Sequence, residues 1–198
     1  MGEKMTKEVI RKSGIDAIGD ISWGTHLCQL YHTKQDLVDV IIPYLKAGLE
    51  NNEFCIWVAS NPLEAKKAFG KSVPDLEIYL EKKQIEIIHY NDWYLKEGFF
   101  DPQKVLKSWV EKLDKALASG YDGLRLTEGI FSLEEEYRDD FVGYEREIGR
   151  VIGNYQIIAL CTYPLNQYSA SEIIDVITNH QFALVKMEGK LEKIKSFR

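Results

Sequence analysis

The chain is poor in cysteine and proline, with three and five in 198 residues. Cys28, Cys55 and Cys161 are odd in number, far apart and each set in an apolar run. That argues against a disulfide framework and leads us to expect reduced thiols in a cytoplasmic protein. No apolar run approaches the roughly 20 residues that cross a bilayer. The first residues, MGEKMTKEVIRKSG, lack the apolar stretch of a signal peptide. Basic blocks are missing too: 25 Lys+Arg stand against 31 Asp+Glu, a net charge of −6. Direct binding of nucleic acid, which needs a clustered basic surface, is therefore not expected. Glycine is absent where a nucleotide would need it. The first candidate strand-to-helix connection reads Leu30-Tyr31-His32-Thr33-Lys34-Gln35-Asp36. It carries neither the G-x-x-x-x-G-K-[ST] cradle for phosphates nor a G-x-G-x-x-G fingerprint.

What is present is globular: 45 % apolar, 12 % aromatic and 28 % charged residues, without low-complexity or repeated segments. Short apolar runs alternate with helical stripes. Leu27–Tyr31, Phe54–Ala59, Ile85–Tyr90, Gly123–Thr127, Gln156–Cys161 and Phe182–Val185 read as strands. Helix starts are marked by Thr33 with Asp36, Asn61-Pro62, Asp101-Pro102, Ser132 with Glu135, and Ser169 with Glu172. The pattern predicts one three-layer α/β domain, a mainly parallel sheet of about five to six strands with helices on both faces. Residues 1–20 read as an N-terminal helix or arm and 21–188 as the body. Residues 189–198 read as a helical tail or linker.

In an open parallel sheet, ligands sit outside the carboxyl ends of the strands. Those ends carry Tyr31, Ser60-Asn61, His89 to Trp93, Thr127-Glu128 and Cys161 to Pro164. A rim of aromatic, thiol and hydroxyl groups suits a small, weakly polar ligand. The candidate ligand-binding residues are His26, Cys28, Tyr31, Tyr90, Trp93, Glu128, Cys161, Tyr163 and His180. If the first, fourth and fifth strands are neighbours, Tyr31, Glu128, Cys161 and Tyr163 line one cavity, with His26 and His180 in or behind it. Plainer readings stand beside these. The cysteines are small core residues, Glu128 pairs with Arg125 or a lysine, and His180 is a satisfied structural histidine. Trp93 and Tyr94 are a lid or simple packing. His26-Leu27-Cys28 places two metal donors on one strand face, and with Cys161 and His180 they form the alternative of a metal- or haem-linked redox sensor. That spacing is a weaker signal than paired C-x-x-C motifs. A cysteine nucleophile with a histidine base has no local signature. No cofactor, metal or catalytic residue is assigned.

One resemblance covers residues 15 to 190. Trp23-Gly24-Thr25-His26-Leu27-Cys28-Gln29-Leu30-Tyr31, Ala47-Gly48-Leu49-Glu50-Asn51-Asn52-Glu53-Phe54-Cys55-Ile56-Trp57, Tyr144-Glu145, Leu160-Cys161-Thr162-Tyr163-Pro164 and Asn179-His180-Gln181-Phe182-Ala183 resemble the MEDS domain, the DcmR-like sensory domain of methanogens and methylotrophs. The resemblance implies a RecA/KaiC-like fold whose phosphate loop has degenerated. It implies a non-enzymatic sensor of small hydrocarbon derivatives such as one-carbon compounds. The motif positions carried over are His26, Cys28, Tyr31, Cys161, Tyr163 and His180. The implied partners are a histidine kinase or transcriptional effector, in cis or in trans, and a homodimer is one arrangement for the relay.

Overall fold

A computed structural model describes residues 10–129 and 137–196. Its centre is a seven-stranded sheet in the order β5-β4-β6-β7-β3-β8-β9. The strands are β3 (His26–Tyr31), β4 (Phe54–Ala59), β5 (Ile85–His89), β6 (Leu124–Gly129), β7 (Ile157–Pro164), β8 (Phe182–Met187) and β9 (Lys190–Lys195). All neighbours run parallel except β8 and β9. Strands β3, β4, β6 and β7 are buried along their whole length, as a sheet covered on both faces requires. The three strands expected to be neighbours are the central β6-β7-β3.

Helices α1 (Lys34–Glu50), α2 (Pro62–Ser72) and α3 (Leu76–Glu81) cover one face. Helices α4 (Tyr90–Tyr94), α5 (Pro102–Ala118), α6 (Arg138–Val151) and α7 (Ala170–Asn179) cover the other. The caps read from the sequence form at Thr33, Asn61, Asp101 and Ser169. The Ser132–Glu135 cap falls outside the described residues.

The expected architecture needs three corrections. The N-terminal segment is a two-stranded antiparallel ribbon, β1 (Ile10–Lys12) with β2 (Asp20–Ser22), rather than a helix. The tail is strand β9, not a helix. Glu188 and Gly189 both have positive φ (50° and 80°), the requirement of a two-residue type I′ hairpin turn, so the chain folds back antiparallel on β8. Leu191 and Ile194, three apart, suggest a helical stripe; in a strand that spacing sends them to opposite faces, one into each core layer. This is also why the sheet has seven strands. Finally, Tyr90 does not extend β5 but opens the short helix α4, where the His89 ring accepts from the Asn91 amide.

The largest fully buried side chain is Arg125 on β6. Its guanidinium pairs with both oxygens of Glu53 and donates to the carbonyls of Tyr44, Ser13 and Lys12. One side chain thus joins the sheet, α1 and the ribbon. Gly48 makes room for it: a Cβ there would lie 2.6 Å from Arg125 Cδ. Replacing Arg125 with Ala leaves the buried Glu53 carboxylate with Arg11 as its remaining ion-pair partner and opens a cavity in the core, and urea melts should show a loss of about 3–5 kcal/mol. The double change Arg125→Met with Glu53→Leu should recover much of it.

Candidate functional site

Alternation along the strands sorts the candidates onto two faces. Cys28, Leu30, Cys161 and Tyr163 pack together on the face of α7. His26 shares that face through its contact with Cys161. Glu128 lies opposite Cys161 in the β6–β7 register. Tyr31 points the other way, into the layer of α1 and α2. The expected single cavity is therefore split. Tyr31 is five residues from His26, an odd number, and odd spacing in a strand reverses the face.

On the α6–α7 face four side chains converge: His26 from β3, Glu145 from α6, Cys161 from β7, and His180, which ends α7. All four are buried, and one donor atom from each lies within 4.8 Å of the others. His26 Nε2 is 3.2 Å from Cys161 Sγ and 3.3 Å from Glu145 Oε2. His180 Nε2 is 3.3 Å from the same carboxylate oxygen. His180 Nδ1 sits 2.7 Å from the carbonyl of Val176, so that nitrogen carries the proton and Nε2 faces the cluster. The two imidazole rings are 4.1 Å apart, and the Tyr163 ring meets His180 edge-on at 5.8 Å. Cys28 also lies against His180.

The electrostatics are strongly coupled. Burial alone would raise the Glu145 carboxyl, but His180 and His26 hold it well below the usual range. Burial, with the charge of His180, pushes His26 down to about 4. Burial opposes the charge on His180 as well, yet Cys28, Cys161 and Glu145 outweigh it and raise that ring well above its ordinary value. Burial and the Glu145 charge keep the Cys161 thiol protonated. The pattern is a buried Glu145 carboxylate facing a charged His180 and a neutral His26.

Beside it lies a second buried group. Glu128 accepts from the hydroxyls of Tyr94, in a short contact, and Tyr144, at 3.1 Å. Among the described residues it forms no ion pair with Arg125 or a lysine; Arg125 faces α1 and pairs with Glu53 instead. Burial raises the Glu128 carboxyl to about 8, against the lowering effect of the Tyr94 hydrogen bond and with the Glu145 charge adding to the rise. Trp93 is buried next to this group, while Tyr90 is half-buried at its margin. Glu145, Tyr94 and Tyr144 were missing from the expected site. Glu145 and Tyr144 were visible only as part of the family resemblance, since an acidic residue inside a charged helix carries no spacing signal.

Tyr31 instead borders a cleft of about 280 Å³ between α1 and α2, lined also by Gln35, Trp57, Ser60, Asn61 and Glu64. Burial pushes the Tyr31 hydroxyl up to about 12. This cleft, unlike the histidine cluster, lies at the carboxyl ends of β3 and β4, where open α/β sheets bind ligands. The neighbouring start of α1 is already occupied by its own side chains. The Thr33 hydroxyl accepts from the Asp36 amide at 3.1 Å, and the Asp36 carboxylate accepts from Thr33 N and Oγ1 at 3.1 and 2.8 Å. Lys186 of β8 then reaches Asp36 at 3.1 Å.

Because its folded pKa is raised, Glu128 binds a proton in the native state that the unfolded chain releases between pH 4.5 and about 8. Its contribution to stability is present at low pH and falls as pH rises through that window. Glu128→Gln keeps the acceptor oxygen without the charge. Paired urea melts from pH 5 to 8 should show the parent losing stability relative to the variant as pH rises.

Residues 25–181 match the family described as MEDS, MEthanogen/methylotroph, DcmR Sensory domain. A related protein, the transcriptional repressor DcmR of Methylorubrum extorquens (strain DSM 6343 / CIP 106787 / DM4), is 26 % identical over 167 residues. The match covers 82 % of this chain but only 60 % of that repressor's length. Among solved structures, a KaiC-like protein from Pyrococcus horikoshii OT3 superposes with a TM-score of 0.56 at 17 % identity, covering 94 % of this chain and 86 % of its own. The flagellar accessory protein FlaH from Methanocaldococcus jannaschii gives 0.59 at 13 % identity, covering 93 % and 85 %. These two likenesses concern the fold, which is RecA/KaiC-like. With the match spanning most of its length, the chain belongs to the MEDS family of sensory domains.

Proposed function

We propose that this sensory domain is a binding module rather than an enzyme, and that it reads a small carbon compound at the buried face between α6 and α7. The observation that carries the reading is the convergence of His26, Glu145, Cys161 and His180 beside the Glu128–Tyr94–Tyr144 group. These buried polar groups are surrounded by aromatic walls. Such a lining gives a ligand of a few atoms both apolar burial and a polar handle. The capped start of α1 supports the same reading. The Asp36 carboxylate occupies the first turn of α1, the kind of helix N-terminus at which a phosphate would otherwise bind. Ligand would act by population shift, favouring one arrangement of α6, α7 and the β8–β9 edge. The output would be a transcriptional effector or a histidine kinase in the cytoplasm, and the DcmR relative makes the transcriptional route the better supported. Among the described residues, no helix is long and apolar enough to cross a membrane.

Two measurements test this. Calorimetry with Mg-ATP should give no saturable heat; low-micromolar one-to-one binding would overturn the non-nucleotide reading. Methanol, methylamine and methanethiol should be titrated against isotope-labelled protein. Each probe has two non-hydrogen atoms and gains at most about 1.5 kcal/mol per atom, so dissociation constants should be about 5 mM or weaker. Shifts should centre on the His26 and His180 imidazoles and vanish in a folded His180→Ala variant. Shifts confined to the Tyr31 cleft would move the site there, and none with any probe would sink the reading.

A further inference from the structure

We propose that His26, Glu145, Cys161 and His180 form a binding site for a tetrahedral divalent transition-metal ion, Zn²⁺ foremost. The proposal concerns the same buried cluster but does not depend on whether a carbon compound is the signal.

Donor spacing is the first argument. An ion with bonds of about 2.0–2.3 Å to nitrogen, oxygen and sulfur holds its tetrahedral donors roughly 3.3–3.7 Å apart. Three of the contacts measure 3.2, 3.3 and 3.3 Å. All four donor atoms lie within 4.8 Å of one another, a spread that small side-chain torsions can close.

Unmet polar demand is the second. Neither oxygen of Glu145 nor His180 Nε2 has a hydrogen bond of good geometry, although all are buried. Both histidines aim Nε2 at the same oxygen, leaving Oε1 without a partner. Buried polar atoms left in this state are costly. One ion at the centre would take all four donors at once.

The third argument is orientation. The His180 Nδ1–H donates to the Val176 carbonyl at 2.7 Å. Metal-binding histidines show this outer hydrogen bond repeatedly, because it fixes the tautomer and points the other lone pair at the ion.

Donor chemistry selects the class of ion. A thiolate, two neutral imidazoles and a carboxylate sum to −2, which a divalent cation neutralises inside a dry interior. Calcium and magnesium require six or more oxygen ligands, and only the Glu145 carboxylate supplies oxygen here. Tetrahedral sulfur–nitrogen sets favour zinc. Binding displaces the Cys161 thiol proton to solvent and forms the metal–sulfur bond, with no oxidation. The alternative is a metal-free network in which the Glu145 carboxylate faces a His180 imidazolium.

The test uses the full chain, purified without chelator. Elemental analysis, followed by reconstitution of chelator-treated protein with Zn²⁺ or Co²⁺, should give about one ion per chain. The cobalt form should show a thiolate-to-metal charge-transfer band and the intense visible bands of a four-coordinate site. Cys161→Ser should lose the charge-transfer band, whereas Cys55→Ser, whose thiol lies on the other face of the sheet, should keep it. The proposal is overturned if the folded parent takes up less than a tenth of an equivalent, or if the band survives in Cys161→Ser. The small-molecule titrations, repeated on zinc-loaded and chelated protein, separate the two ideas. Probe-induced shifts without metal uptake would sink the ion and leave the sensory reading standing. Metal uptake without any probe response would do the reverse.

Discussion

The fold is organised around the charge of Arg125, whose side chain is fully buried. A guanidinium cannot shed its proton, so burial commits every neighbour to supplying acceptors. Glu53, at the entry to β4, supplies two, and the carbonyls of Tyr44, Ser13 and Lys12 supply the rest. Arg11 of the ribbon binds Glu53 as well, and the Tyr44 hydroxyl reaches the carbonyls of Leu126 and Ile158 on β6 and β7. The N-terminal ribbon is thereby part of the same polar knot as the sheet. Without the ribbon, two of the guanidinium's acceptors would be missing.

This knot also explains why the two faces of the sheet differ. On the α1 side the buried charge is fully matched and fixed. On the α6–α7 side the buried groups are of the kind that change protonation or partner: two imidazoles, two carboxyls, two thiols and several phenols. Charge on that face is distributed by local competition rather than by one permanent ion. A small change in the surroundings there, such as a bound molecule or an ion, alters which groups are charged. A rigid face carrying a responsive one is a workable arrangement for a sensory domain, since the response is not dissipated in general loosening.

Much of the fold was legible because local signals agreed with the global one. Thr33-x-x-Asp36 and Ser169-x-x-Glu172 box their helices as read, and the apolar strands fall into the core order expected of central parallel strands. The ribbon and β9 were hidden for a physical reason. Both are short, half-exposed strands without a long apolar alternation, and both depend on glycine turns with tertiary partners. The site was half legible. His26, Cys161 and Tyr163 meet as their strand positions suggested, and His180 joins them from the end of α7. Tyr31 does not join them, because its odd spacing from His26 along β3 turns it to the other face of the sheet. Glu145 carries no spacing signal in its helix and enters only with the family resemblance; its place in the cluster is set by what packs over the sheet there.

The placement of His180 links the cluster to the sheet edge. It ends α7, and the next residue, Gln181, is tied in three directions. Its amide donates to the His26 carbonyl at 2.9 Å, its side chain to Gly24 at 3.0 Å, and its carbonyl accepts from Ser196 at 3.2 Å. His26 therefore contributes its ring to the cluster and its backbone to the junction that follows His180. The His180 ring is held to the Val176 carbonyl within α7 at 2.7 Å, one residue before the backbone bond that ties Gln181 to β3. From there the route leads through β8 to β9, whose outer edge has no neighbouring strand among the described residues. An unpaired edge can receive another strand or a partner surface, and it is joined here to the buried groups best able to register a change.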